Sequence, residues 1–355
     1  MAILHKRARR GLNPLRLVAY SIGFLLALNA GIVFCKDSSD DWDRISGPIP
    51  IVNQAPIQLL FLQPIPDRAE TYPEGRYSLS LNTAITNTLL WGKSENYIGY
   101  MDMEMIRTCL DVKYGILSGA EIAMSVPFVY SSGGFMDRAI LEFEELVSNA
   151  RDLRKKEDQY GRADSYTYSV KKNDKAFIEG RENSAGLGDL GLSVKGKIWD
   201  EGDRVPYLSA RFSVKFPTGD EDKAFGSGEV DYGLGLLLQK TINRVTGYLN
   251  ADVIFPGHAF EQANVSLRTF CEVMLGVEYN FSERFSGLTQ LYYITRPFED
   301  TGLEMLDRRM WNLLLGVSYL TRIGICLQGG FVEDFFTSSN TGADITFFLN
   351  VGKNF

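Results

Sequence analysis

From Gly75 to the last residue, apolar and polar side chains alternate with a period of two rather than 3.6, the pattern of strands with two unlike faces. The final segment shows it plainly: Ile345, Phe347, Leu349, Val351 and Phe355 fall on one face, and Asp344, Thr346, Asn350, Gly352 and Asn354 on the other. Only Phe348 and Lys353 break the order. Further back, Val273, Leu275, Val277 and Tyr279 oppose Glu272, Glu278 and Asn280, and Phe212 and Val214 oppose Arg211, Ser213 and Lys215. Within these segments the charges keep almost wholly to one face. A soluble sandwich also alternates, but its strands average about 5–6 residues, whereas these run to about 9–12, enough for a tilted strand to cross a bilayer. An Arg or Lys facing lipid at mid-bilayer costs roughly 2–4 kcal/mol, so one-sided charge is what a membrane strand requires.

The pattern predicts an all-β fold: a transmembrane antiparallel up-and-down β-barrel of about twelve strands, with one helical outer loop. The strands are expected over 76–89, 97–114, 119–130, 187–199, 206–217, 228–241, 244–256, 266–281, 284–296, 309–321, 323–334 and 343–355. Their connections alternate between short turns, such as Ile242-Asn243 and Ser282-Glu283, and longer stretches at 131–186, 218–227, 257–265, 297–308 and 335–342. Short periplasmic turns and long outer loops give that alternation, as an even strand number does. Two stretches depart from it. Residues 36–74 hold Pro48, Pro50, Pro56, Pro64, Pro66 and Pro73, which forbid regular helix or central strand, so this segment either stays periplasmic or enters the lumen as a plug. In the 131–186 loop, Met136 to Gln159 reads as an amphipathic helix through Ile140, Phe143, Leu146, Val147 and Leu153.

The N-terminus reads as an export signal: Lys6, Arg7, Arg9, Arg10 and Arg16 precede an apolar run from Leu17 to Phe34. Val33 and Cys35 suit a cleavage site that makes 1–35 a signal peptide; an uncleaved inner-membrane anchor is the rival reading. Without residues 1–35 the chain keeps 32 of its 37 basic residues against 44 acids, a net charge of −12 that argues against nucleic acid as a partner. Cys35, Cys109, Cys271 and Cys326 contain no CxxC pair, so neither a disulfide framework nor a zinc site is expected, and no cofactor is implied.

Candidate chemistry lies in the charges placed on the lumen face: Asp102, Glu104 and Glu121 early, Lys195, Lys197, Arg211 and Lys215 in the middle, Glu229 and Asp231 beside them, then Arg268, Glu272 and Glu278. With neighbouring strands paired, the basic face of 187–217 abuts the acids of 228–241. Such a lining is either an ion-pair network that fills the barrel or a polar track that passes a solute. After the signal only one histidine remains, His258, in an outer loop with no identifiable catalytic partner. Gly186-Leu187-Gly188-Asp189 and Pro217-Thr218-Gly219-Asp220 lack the Lys-Ser/Thr pair and the helix of a phosphate loop, so turn chemistry accounts for them.

Several segments carry a resemblance: Gly47-Pro48-Ile49-Pro50 with Asn53-Gln54-Ala55-Pro56, Asp102-Met103-Glu104, Ser132-Gly133-Gly134-Phe135-Met136-Asp137, Gly186–Leu190 and Phe216–Asp220. They resemble an uncharacterised bacterial family known as domain of unknown function 3187, over most of the chain beyond the signal. Its members are taken to be outer-membrane proteins, and the resemblance implies no activity. The glycine–aspartate motifs are also similar to outer-membrane proteins of phenol-degradation operons, which implies uptake of aromatic or hydrocarbon substrates. The alternating last strand ending in Phe355 resembles the terminal strand read by the outer-membrane assembly machinery. The expected role is therefore a non-enzymatic outer-membrane channel or transporter for small molecules, hydrophobic ones included, in contact with outer-membrane lipid. A partner-docking barrel with a filled lumen and a rim hydrolase built on His258 are the alternatives.

Overall fold

The computed structural model describes residues 47–134, 166–334 and 345–355. The signal peptide, the 136–159 helix and the tip of the last outer loop, as expected from sequence, lie outside these residues. Fifteen strands are present among them: β1 (Tyr77–Lys93), β2 (Tyr97–Leu117), β3 (Ala120–Ser132), β4 (Thr167–Lys172), β5 (Lys175–Glu179), β6 (Ser184–Leu187), β7 (Leu190–Trp199), β8 (Tyr207–Phe216), β9 (Asp231–Ile242), β10 (Val245–Phe255), β11 (Phe270–Asn280), β12 (Phe285–Ile294), β13 (Met310–Leu320), β14 (Ile325–Asp334) and β15 (Ile345–Asn354). Twelve of them form a closed antiparallel barrel. β1 pairs with β2 on one side and β15 on the other, β2 with β3, β3 with β7, and β7 to β15 follow as sequential neighbours. Closure leaves no wall strand with an open edge, which is the condition for β-structure in lipid.

The ring shuts at the last residue. Phe355 N–H donates to Tyr77 O at 2.8 Å, Tyr77 N–H donates back to Phe355 O at 3.1 Å, and the two rings stack with centroids 4.8 Å apart. Outward-facing residues of the mid-wall are apolar, largely leucine and valine, among them Val194, Leu234, Leu236, Leu275, Val277 and Val317, all well exposed. Aromatic residues flank this band on both sides. Tyr114, Tyr279, Phe281, Phe285 and Tyr319 lie toward the end that holds the chain terminus, and Trp91, Phe128, Phe216, Tyr232 and Phe255 toward the other. An apolar band between two aromatic girdles is a surface built for lipid.

The twelve wall strands fall where the period-two pattern places them. The 131–186 loop holds more than expected: β4 and β5 extend the outer end of β2, and β6 pairs with the outer end of β3. β2, at 21 residues, is about twice what a bilayer crossing needs, so its upper part stands above the membrane and recruits these strands. β6 and β7 run along the same partner, β3, separated only by Gly188 and Asp189.

The lipid-facing assignment of β11 gives a direct prediction. Leu275→Arg, at mid-strand on the outer face, should destabilise the barrel by about 2–4 kcal/mol in equilibrium unfolding from lipid vesicles. A change within experimental error would refute that placement.

Candidate functional site

The lumen is occupied by the proline-rich segment. From Gly47 it rises along β12–β14, with Ile49 N–H donating to Gln290 Oε1 at 2.6 Å and Asn53 Nδ2 donating to Asn312 Oδ1 at 2.6 Å. It turns at the outer end through a single 3-10 turn, Gln58–Leu60, and descends along β7–β10 to Tyr72 before entering β1. Prolines explain why it does not pair as a strand, and they leave its carbonyls and remaining amides to find partners on the wall. Those partners are the inward side chains. Leu62 N–H donates to Asp231, Asp67 N–H to Asn250 and Tyr72 N–H to Glu121, each at 2.8 Å.

Three buried cations of β7 and β8 take the other half of this exchange. Lys195 Nζ donates to Arg68 O at 2.8 Å and Glu70 O at 3.0 Å, and pairs with Asp67 at 2.8 Å and Glu121 at 3.0 Å. Arg211 grips Asp252 with two nitrogens, at 2.7 and 3.2 Å, and donates to Ile65 O at 2.5 Å. Lys215 meets Leu60 O and Ser227 Oγ at 2.6 Å each, Asp189 at 2.9 Å and Asp231 at 3.1 Å. A buried charge costs several kcal/mol unless it is paired and hydrogen-bonded, and the segment supplies partners to all three.

The register aligns these groups. Glu121, Lys195, Arg211, Gly235, Asp252 and Glu272 are consecutive cross-strand partners from β3 to β11, a charged belt around half the lumen. Gly235 is essential to it: a Cβ there would collide with Asp252, which crosses that strand to reach Arg211. On the opposite wall Ile49 and Ile51 pack among Tyr248, Met274, Leu288, Tyr292, Leu314 and Phe348, beside uncharged polar side chains such as Gln290, Asn312 and Gln328. Gly316 makes the space, since a Cβ on it would strike Ile49. At the outer end, Leu60, Phe61 and Leu62 join Phe270, Phe298, Leu303 and Met103 in an apolar stopper. Phe61 meets Phe298 and Phe270 edge-on at 5.6 and 6.0 Å.

Of the residues placed on the lumen face from sequence, Glu121, Lys195, Arg211, Lys215, Asp231, Glu272 and Glu278 are buried inside the barrel. Glu278 binds Tyr248 Oη at 2.7 Å and Ser286 Oγ at 2.6 Å, away from the belt. Lys197 lies at the rim of the end that holds the chain terminus, with Asp200 3.0 Å away. Glu229 and Arg268 precede β9 and β11 at the outer end, Glu229 exposed and Arg268 half-buried. Asp102 and Glu104 need correction: they share a face of β2 with Leu110, Val112 and Tyr114, whose outer members are exposed to lipid. The acids are tolerated on that face because they stand in the upper part of β2, beside β4 and the end of β3. The inward face of β2 instead carries Arg107, Cys109, Asp111 and Lys113. The signal for these was the alternation of Arg107, Asp111 and Lys113 with Leu110, Val112 and Tyr114 in the lower strand.

Asp67, on the plug, was also missed, and it is the pivot of the site. It sits 2.6 Å from Lys113 and 2.8 Å from Lys195. Burial alone would raise its pKa, but the two ammonium groups overcome this and hold the carboxyl well below its ordinary value near 3.8. The two glycine–aspartate motifs bind each other: Gly219 N–H donates to Asp189 Oδ1 at 2.9 Å, and Thr218 Oγ1 donates to Gly188 O at 2.9 Å. Their turn chemistry thereby delivers Asp189 to Lys215. His258 is exposed in its loop, with Nδ1 2.9 Å from Glu261. No group of three or more metal-ligating side chains occurs among the described residues.

Lys195→Met would leave Asp67 and Glu121 buried with less compensation, at a cost of about 3–5 kcal/mol. Protease cleavage within 47–74 should then become fast; unchanged protection would contradict the geometry. Because Asp67 has a lowered pKa, its contribution to docking is complete above about pH 4 and is lost only as pH falls through the depressed value. Asp67 should accordingly add no cleavage at 47–74 between pH 7 and about 4.5; a rise in that window that persists in Glu70→Gln, which removes the neighbouring carboxyl whose pKa burial raises, would show that Asp67 is not held as described.

Comparison with known proteins follows the same outline. Residues 24–355 match the family described as "Protein of unknown function (DUF3187)". No curated protein matches the chain significantly. Among solved structures, the COG4313 outer membrane channel from Pseudomonas putida F1 is similar at 13% identity with a TM-score of 0.54, covering 82% of this chain and 100% of that one. The P. putida toluene transporter TodX, at 11% identity and a TM-score of 0.38, covers 80% of this chain and 91% of its own. The NanC porin, at 9% identity and 0.43, covers 78% and 98%. At these identities the likeness to the first concerns the fold alone, and the other two carry no further weight.

Proposed function

Since the chain belongs to the family described as protein of unknown function (DUF3187), a name that carries no activity, we propose from its own geometry that it is an outer-membrane channel for small solutes, closed at rest by residues 47–74. The observation that supports this most is how the lumen is filled. The plug is attached to the wall mainly through side-chain hydrogen bonds and ion pairs, with no strand pairing in the described residues. Side-chain contacts of this kind can exchange for water one group at a time, while the wall ladder stays intact. A barrel of about twelve strands is also wide enough to pass a small molecule once such a segment moves. Phe355, docked on Tyr77 at the closing seam, is the residue we assign to recognition by the assembly machinery, and the girdled outer surface to outer-membrane lipid.

A filled barrel that never opens and serves as a docking scaffold is the second reading, favoured by how completely the plug is buried. Flux separates the two. In liposomes, wild-type protein should pass small solutes slowly, and Asp67→Asn, which removes the anion between Lys113 and Lys195, should raise the rate several-fold. Deletion of 47–74 should raise it further. Flux indistinguishable from empty liposomes for all three proteins would refute the channel.

A further inference from the structure

The plug does not fill the lumen evenly. Between it and β2, β3, β7 and β8 lies a cavity of about 100 Å³, several times the roughly 10–15 Å³ a single water occupies. Its two ends differ in chemistry. Toward the outer end the lining is mainly apolar, with Leu59, Phe61, Leu62, Met105, Val129 and Phe225 beside the Lys215–Asp189 pair; toward the belt it is Arg107, Asp111, Lys113, Ser125 and Ser193. Space is left in the lower half because the register sets small residues side by side, Ser125 against Gly191 and Ala123 against Ser193.

Charged groups of both signs line this cavity, and all but one of its cations are committed to a carboxylate. The cations are Arg107, Lys113, Arg211 and Lys215, and the carboxylates in the lining are Asp67, Asp111 and Asp189, with Asp231 and Asp252 just beyond it. Lys113 is committed to Asp67, Arg211 to Asp252 outside the cavity, and Lys215 to Asp189 and Asp231. Asp111 accepts Asn82 Nδ2 at 2.6 Å and the Cys109 thiol at 3.4 Å. Arg107 alone of the four forms no ion pair within 4.0 Å among the described residues; on its own strand it hydrogen-bonds the Cys109 thiol and is attracted at longer range by Asp111, which leaves most of its five N–H donors unused. It sits where the two halves meet, with Val129 as its direct cross-strand partner and Met105 two positions above. A guanidinium with donors to spare at the border of an apolar chamber is a receptor for a planar anionic head group attached to an apolar body.

We propose that this cavity is a binding site for small amphiphilic organic anions, aromatic carboxylates being the best fit, with Arg107 holding the carboxylate and the Met105–Val129–Phe225 end holding the ring. The assignment rests on the channel reading for its purpose, since it names the solute class the channel would admit, but the site stands or falls on binding alone. The ligand enters as the anion and leaves unchanged.

The test is calorimetric titration of purified full-length protein in detergent with sodium benzoate and with its neutral isostere benzamide. Wild-type protein should bind benzoate saturably and prefer it to benzamide. Arg107→Gln should weaken benzoate at least tenfold and abolish the preference, while Val129→Trp, which fills the apolar end, should weaken both ligands. The heat-dependent gel shift of each variant checks that it is folded. A folded Arg107→Gln protein that keeps wild-type benzoate affinity overturns the proposal, as does wild-type protein that shows no saturable benzoate binding. Liposome flux on the same preparations keeps the two claims apart. Benzoate binding without flux of any solute upholds the site and overturns the channel; flux without benzoate binding overturns the site and leaves the channel standing.

Discussion

Lys195 is a lysine placed in the middle of a membrane-spanning barrel, nearly inaccessible to solvent, and the interior is organised around satisfying it. Its ammonium has three protons, and the wall offers it one carboxylate, Glu121. The remaining partners come from the plug: the Asp67 carboxylate and the carbonyls of Arg68 and Glu70. Arg211 and Lys215 repeat the arrangement higher in the lumen with Ile65 O and Leu60 O. Without the plug Arg211 and Lys215 would keep their wall carboxylates but lose a carbonyl each, and Lys195, a direct cross-strand partner of Arg211, would keep Glu121 alone. The plug is therefore the complementary half of a charge distribution that the wall alone leaves incomplete.

That complementarity also shapes the plug. An extended chain rich in proline has few donors and many free carbonyls, which suits a wall that presents cations on one side. Where the wall presents carboxylates or amides instead, at Asp231, Asn250 and Glu121, the plug offers the N–H groups of Leu62, Asp67 and Tyr72. The opposite wall packs against Ile49 and Ile51 and adds uncharged hydrogen bonds that join Gln290, Tyr292 and Asn312 to Ile49, Ile51 and Asn53. One face of the lumen thus holds the segment through charged groups and the other through packing and neutral hydrogen bonds, and the cavity lies on the charged side.

Much of the fold is visible in the sequence because lipid imposes a strict rule. A strand of about ten residues must be apolar on alternate positions, so β7 to β15 can be located to within a few residues and their inward charges assigned. Beyond the membrane the rule lapses. Asp102 and Glu104 lie on the outward face of β2 above the bilayer, where lipid no longer excludes charge, so their alternation with Met101, Met103 and Met105 gives the wrong phase. The same lapse hides β4, β5 and β6. The position of the plug is hidden for another reason: prolines show what residues 47–74 cannot form, while their partners lie as far away as Asn250, 183 positions along the chain from Asp67. Asp67 therefore looks like any loop acid until Lys113 and Lys195 converge on it.

The central claim is that the plug is docked by side-chain exchange and can leave without dissolving the barrel. Amide hydrogen exchange of Leu62, Asp67 and Tyr72 in lipid vesicles tests it most directly, because each of these N–H groups donates to a wall side chain rather than to a strand. The account predicts protection well above that of a free peptide, lost at a lower opening free energy than the amides of β9 and β10. Exchange at the free-peptide rate would show that the segment is not docked. Exchange only together with the strands would show that it is a fixed part of the wall and not a gate.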